Sequence, residues 1–339
     1  MGFLNFLISA LEEKYPEDPR ECLSLFKTGN QGDKRRSQKQ YQLISRAMSA
    51  GIREAKILFL DAFVWETSNA EIVDEVKNII KKAFDEDDKE VKLWYAGQLM
   101  YGYGVVRNTT QADSIYLELA NKGVAKAAYE VGVKCLRNDN YDGAISWLKK
   151  ANLSDFKVNL LDFKVHETLG DAYMRGMSLE SRENQELLSY YKTGLLGFDE
   201  EIKDKPSVDD IRAALQHYRN SFYYHSTFFK NPDFHVLFKI SDCIRILGFE
   251  NKSLKEEFIQ NLILASENNH FEATFALACI FNENTIVSKN SSIAIKYAKL
   301  AITIHKNSIN IFSSDSFGSH EARRVVSIRY LNEIIKPNG

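Results

Sequence analysis

Several residues in this chain could do chemistry, but their spacing does not suit it. The stretch "GYGVVR" at 102–107 has two of the glycines of a dinucleotide loop, whose amides would cradle a pyrophosphate. Arg107 stands where the third glycine belongs and no strand pattern precedes it, so the stretch reads as a turn between helices. His166 opens "HETLG", which lacks the second histidine of a zinc-protease helix, and neither GxxxxGK[ST] nor GxSxG occurs. Of seven histidines, His217 and His225 lie eight apart, and no pair has the i, i+4 spacing that chelates a metal. Cys22, Cys135, Cys243 and Cys279 show no ligand spacing and no disulfide framework, which points to a reducing, cytoplasmic setting. "DEDDKE" at 85–90 lacks the central glycine of a calcium loop and reads as a solvated turn. An enzyme would need Asp209, Asp210, His217, Tyr218 and His225 to converge within residues 205–230. The expectation is therefore no catalytic residue, no metal and no cofactor.

The balance of charge narrows the partners. Net charge is −2, without the basic footprint of a nucleic-acid binder. No run approaches eighteen apolar residues, so no membrane-spanning helix is expected. The start, "MGFLNFLISALEEKYPEDPR", reads as an amphipathic first helix: it lacks a basic leader, and Phe6 occupies the position where myristoylation requires Ser or Thr. "GDKRRSQKQ" at 32–40 reads as a solvated basic entrance to a helix. Hydrophobic content of 44% with only five prolines and 17 glycines favours helices over a turn-rich β fold.

The elements that position these residues repeat. With Gly97 as a zero mark, Lys92 (−5), Ala96 (−1) and Met100 (+3) recur as Ala127, Val131 and Cys135 around Gly132. They recur again around Gly170, Ser241 and Ala278, and around Leu60, where the small zero residue is lost. The spacings are 37 from Leu60 to Gly97, then 35, 38 and, from Ser241 to Ala278, 37, with 71 residues, about two periods, between Gly170 and Ser241. Such a period belongs to helical solenoids. Between the marks lie second helical segments: "YQLISRAMSAG", "SIYLELANKG", "GAISWLKKANL", "LLSYYKTGLLG", "FIQNLILASENN" and "AIKYAKLAITI". Offsets −5, −1, 0 and +3 share one face of the first helix of each unit, helix A. The small zero residue lets the second, helix B, approach closely, and Gly123 reads as a C-cap.

"LMYGYGVVRNTTQADSIYLELANKGVAKA" resembles the SEL-one-like repeat, a relative of the tetratricopeptide repeat. Ala96, Gly97, Gly102, Gly104, Val105, Ala112, Ala120, Gly123 and Ala127 occupy its pattern; Met100, Asn108, Tyr116 and Leu119 depart from it. The likeness spans 40–195 and 235–305. It implies a right-handed all-α solenoid that binds other proteins and lacks catalysis of its own. The expected organisation is a single solenoid. Residues 1–39 cap its N-terminus and 40–196 are repeats; 197–234 form an irregular loop and a divergent helix pair. Repeats resume over 235–310, and a final helix over 311–339, capped by Ser319 and stopped by Pro337, closes the end.

Offsets −3, −2, +1 and +5 point away from helix B. Along a concave wall they would place Trp94 and Tyr129 as adjacent aromatic anchors, with Asp61, Trp65, Tyr95, Gln98, Glu130, Arg137, Glu167 and Asp171 around them. The cluster "SFYYHSTFF" at 221–229 holds too many rings for one helix face, leaving open whether it is core or interface. The family resemblance implies a binder of another protein; its most concrete form is an immunity protein neutralising a toxin, and its alternatives are an adaptor, a virulence-associated binder or a homo-oligomeric scaffold.

Overall fold

The computed structural model describes residues 16–28, 38–66, 69–152, 160–175, 206–230, 232–249, 251–283, 286–311 and 318–336. Among the described residues the regular structure is helical throughout, with no strand. The helices are α1 (Pro19–Thr28), α2 (Gln38–Ser49), α3 (Arg53–Phe63), α4 (Ala70–Asp85), α5 (Lys89–Tyr101), α6 (Thr109–Asn121), α7 (Ala125–Arg137) and α8 (Tyr141–Asn152). Then come α9 (Leu160–Tyr173), α10 (Val208–Phe229), α11 (Phe234–Ile246), α12 (Lys252–Glu267), α13 (Phe271–Glu283), α14 (Ser291–Ile311) and α15 (Gly318–Ile335).

Local chemistry sets these boundaries. The Asn69 side chain accepts from the amides of Glu71 and Ile72, and the Asp88 side chain accepts from those of Glu90 and Val91. Each thereby satisfies donors that the first helical turn leaves open. Ser207 and Asp210 form a reciprocal capping box at the start of α10. Gly123 closes α6 at φ +80°, and the amide of Val124 donates back to the carbonyl of Leu119 at 3.0 Å.

The chain divides into two compact units, residues 1–127 and 128–339. In the first, α1 packs on α2, α2 on α3, α4 on α5 and α5 on α6, and α3 also lies against α5, one A helix on the next. Its core gathers Phe26, Ile44, Phe59, Leu60, Ile72 and Val91. In the second, α8 packs on α9, α9 on α10, and each later helix on its predecessor through to α15. This neighbour-to-neighbour packing is the signature of repeat arrays.

The inward register holds. Ala55, Lys92, Ala127, Val165, Val236 and Ala273, at −5, are all buried, as are Leu60, Gly132, Gly170, Ser241 and Ala278 at the zero mark. The glycines are packing positions. A Cβ on Gly132 would lie 2.7 Å from Cγ of Leu148 on α8, and one on Gly170 would overlap the Tyr218 ring of α10.

One feature differs from expectation: helix α4 is an additional B helix, with Ile72, Val76 and Ala83 buried. Residues 208–229 form one continuous 22-residue helix, followed from Phe234 by α11. Ile211, Ala214, Leu215, Tyr218 and Ser221 repeat at three-and-four spacing and bury one stripe of it, so α10 serves as the B helix for α9. The stretches 1–15, 32–37, 187–197 and 197–205 read above, the Ser319 cap and Pro337 lie outside the described residues and side chains. The expected closing helix is α15: Leu331 is fully buried, and the Tyr330 hydroxyl donates to Glu283 of α13.

Candidate functional site

Residues at 85–90 do the work of a turn. Asp85 ends α4, Asp87 adopts a left-handed φ of 54°, and Asp88 caps α5. Hydrogen bonds from Lys122 at 2.7 Å and Lys92 at 2.9 Å hold the Asp87 carboxyl at a pKa of about 2. Lys92 and Lys122 also both reach Glu118, at 2.7 and 2.8 Å, closing a four-charge box that ties the α4–α5 turn to α6. The lysine at −5 is therefore buried in company, and the acids are spent on it.

In the first unit, α3 and α5 bring together Asp61, Trp94 and Gln98, and Trp65 follows just past the end of α3. Trp94 Nε1 donates to Asp61 Oδ1 at 2.5 Å, and its ring packs against the core of the unit. The Gln98 amide bridges Trp94 Nε1, 3.2 Å from its oxygen, and the carbonyl of Tyr103, 2.8 Å from its nitrogen. Trp94 is thus a half-buried brace between A helices. Tyr95 turns the other way, edge-on to Phe84 of α4, because a residue one step along a helix rotates by about 100°.

The exposed rings lie one turn farther along. Trp65 is 61% exposed, Tyr101 60% and Tyr103 54%. Tyr101 and Tyr103 stack with centroids 5.5 Å apart, and Trp65 lies 6.3 Å from Tyr103. The glycine loop aims them. Gly102 at φ +75° ends α5, and Gly104 at φ +69° lies so close to Val64 that a Cβ would approach its side chain to 2.7 Å. Trp65 stood among the sequence candidates; Tyr101 and Tyr103 did not, because they lie outside the helical register. Their flanking glycines were the available signal.

In the second unit the expected outward residues are largely engaged within the chain. Lys239 of α11 reaches Glu167 Oε1 at 2.8 Å and Asp171 Oδ1 at 2.9 Å, and the Tyr218 hydroxyl donates to Asp171 at 2.7 Å. Glu167 and Asp171 therefore join α9 to α10 and α11. Tyr129 faces Thr168 of α9, and burial pushes its hydroxyl pKa up. Glu130 is half-buried and Arg137 exposed on α7. Farther along, Phe238 and Asp242 of α11 and Phe275 and Cys279 of α13 occupy −3 and +1 yet are buried. Phe238 packs on His270, and Phe275 packs edge-on to Tyr330 of the closing helix. Outward register there means contact with a neighbouring helix, so an open face built from those positions does not extend through α11 and α13.

The residues that an enzyme would need do not converge. Asp210 is spent on the capping box, Tyr218 is buried on Asp171, and Asp209 and His225 are sixteen residues apart on α10, about 24 Å along its axis. His225 packs on Phe163 at 4.9 Å between centroids. The aromatic cluster at 221–229 divides: Tyr223, Phe228 and Phe229 are exposed, while Phe222 and Tyr224 are half-buried. Among the described residues no three His, Cys, Asp or Glu side chains gather to hold a metal, and no helix is long and apolar enough to cross a membrane.

His217 does find a partner, His166 of α9, with the two Nδ1 atoms 2.8 Å apart. One must donate and the other accept, so a second proton would set two cations face to face. Burial, then His166 and Lys149, pull the His217 pKa down to about 4; burial lowers that of His166 against the pull of Asp162. The folded state thus binds these protons less readily than the unfolded chain, whose histidines titrate near 6.5. Stability is full above pH 6.5 and falls as pH drops toward 4, by about 2 kcal/mol once solvent screening is allowed for. A His217→Phe variant keeps the stacking on Tyr173 and flattens the fall, measured by thermal melts from pH 8 to 4.5.

No family model matches the sequence, and no curated protein matches it either. Among solved structures, a Sel1 repeat protein from Oxalobacter formigenes superposes with a TM-score of 0.52 at 11% identity, covering 86% of this chain and 71% of that one. A protective antigen present in uropathogenic Escherichia coli strains and displaying an SLR fold aligns at 14% identity and a TM-score of 0.43, over 93% of this chain and 69% of that one. The chain shares the all-α repeat fold of the Sel1-like proteins.

Proposed function

From that fold, we propose that the chain is a non-enzymatic protein-binding module whose contact surface is the aromatic face of its first unit. The observation that carries this reading is the exposed set Trp65, Tyr101 and Tyr103. Three large rings held out in solvent by an ordered loop cost solvation, and aromatic side chains are enriched at the centres of protein interfaces. Toxin neutralisation and adaptor assembly are the two finer readings such a face is open to. They differ in whether one partner is captured, with loss of its activity, or two are captured together.

The test is capture of the partner from the native cell by wild-type chain and by the Trp65→Ala, Tyr103→Ala double variant. A partner held by the wild type is lost from the variant, while helicity and the melting temperature stay close to wild type because both rings lie outside the core. Undiminished capture by the folded double variant would refute the reading. Trp94→Ala behaves differently: it loses the bond to Asp61 and the packing against the core, and chemical denaturation shows it about 1–3 kcal/mol less stable.

A further inference from the structure

The rings of the first unit carry free hydrogen-bonding groups that limit what can cover them. Among the described residues, Trp65 Nε1 and the hydroxyls of Tyr101 and Tyr103 have no hydrogen-bond partner, although all three rings are exposed. Beside them runs Val106, 89% exposed, and then Arg107. Arg107 is fixed against Gly102, its Cβ 3.2 Å from where a Cβ on that glycine would lie, and its Nε donates to the carbonyl of Met100 at 3.1 Å. That bond uses one face of the guanidinium and leaves the outer nitrogens without an acid among the described residues. The carboxylate of Asp61 is already taken by Trp94.

An occupant must therefore bring apolar bulk, several unpaired acceptors and one negative charge. An amphipathic helix is a poor fit, since its own ladder consumes its carbonyls and the three donors would be buried unsatisfied. A sugar stacks on a flat ring and needs acids or amides to hold its hydroxyls. Here the Trp65 and Tyr103 rings are inclined by 47°, and Asp61 and Gln98 are engaged elsewhere. An extended proline-rich strand fits both demands: its polyproline-II backbone makes no internal hydrogen bonds, and its pyrrolidines lie on the exposed outer faces of the aromatics.

We propose that Trp65, Tyr101, Tyr103 and Val106 seat an extended, proline-rich segment of the partner, with an acidic residue of that segment paired to Arg107. This rests on the reading of the chain as a protein-binding module. The aromatic donors serve the ligand carbonyls, the inclined rings serve its pyrrolidines, and Arg107 sets direction and charge preference.

The test uses the full chain and four fluorescein-labelled probes: proline-rich decapeptides flanked by glutamate or by lysine, an amphipathic helical peptide, and a glucan hexasaccharide. Fluorescence anisotropy should show the glutamate-flanked peptide binding at least tenfold tighter than the other three. Tyr103→Ala should abolish that binding, and Arg107→Glu should reverse the preference between the glutamate and lysine peptides. Equal binding of the two proline peptides, or tighter binding of the helix or the sugar, overturns the proposal. If the native partner is lost from the Trp65→Ala, Tyr103→Ala variant yet the glutamate peptide does not compete for it, the proline assignment fails while the protein-binding role stands. If partner capture survives that double variant, the binding face itself is wrong.

Discussion

A Gly170→Ala variant is expected to unfold about 2–4 kcal/mol more easily than wild type, whereas Gly97→Ala, at the same repeat position, is neutral or stabilising by up to about 1 kcal/mol. Both glycines sit inside A helices, where alanine would ordinarily gain stability by restricting the unfolded chain. Their surroundings differ. A Cβ on Gly97 meets only the Tyr116 hydroxyl oxygen, at 3.6 Å, an ordinary contact. A Cβ on Gly170 falls among the ring carbons of Tyr218, with Cδ1 at 2.6 Å and Cζ at 2.7 Å. That ring is 2% exposed and its hydroxyl is tied to Asp171, so it cannot swing clear without breaking the bond. Helix α10 would have to move off α9. Gly132→Ala falls between the two, at about 1–2 kcal/mol, because the obstructing Leu148 side chain can change rotamer. Urea denaturation of the three variants gives the order directly. A Gly97→Ala loss equal to that of Gly170→Ala would show that the zero mark is governed by backbone conformation instead of by the helix opposite.

The second large effect is expected at Lys239. Its ammonium, 11% exposed, is the common partner of Glu167 and Asp171. Burial alone would push its pKa down, but the two carboxylates outweigh that and hold it above the usual lysine range. The sign follows: the contribution is complete below pH 10, covers all physiological conditions, and is lost only as pH climbs through that raised value. Lys239→Met keeps the length of the stem and removes the charge, leaving two carboxylates side by side where α9, α10 and α11 meet. The expected cost is about 2–4 kcal/mol at pH 7. Tyr218→Phe, which removes one neutral donor from the same cluster, should cost only about 1 kcal/mol. Combining the two should give a loss different from the sum, since both act on Asp171. A Lys239→Met variant as stable as wild type would mean that the cluster contributes no net stabilisation.

The repeat register fixes the inward residues, and of its outward positions it puts forward Trp94 and Tyr129 as the anchors. Trp94 and Tyr129 occupy equivalent positions, and each is half-buried against its own surroundings, Trp94 on Asp61 and the α3 core edge, Tyr129 against Thr168. The rings that stay exposed, Tyr101 and Tyr103, straddle a left-handed glycine where helical periodicity no longer applies.

What the sequence determined by itself is the repeating unit: the helix end at Gly123, and the inward face at −5, −1 and 0. These depend on contacts within four residues along the chain and on apolar spacing, so each unit carries its own information. Tertiary structure decided the fate of every other face. Whether Gly170 is tightly packed depends on Tyr218, forty-eight residues on; whether His217 titrates normally depends on His166, fifty-one residues back. Whether Glu167 and Asp171 greet a partner depends on Lys239, at separations of 72 and 68 residues. A side chain pointing outward from its own pair meets solvent or another helix according to how the next units stack, and that stacking is set by long-range packing that no local pattern records.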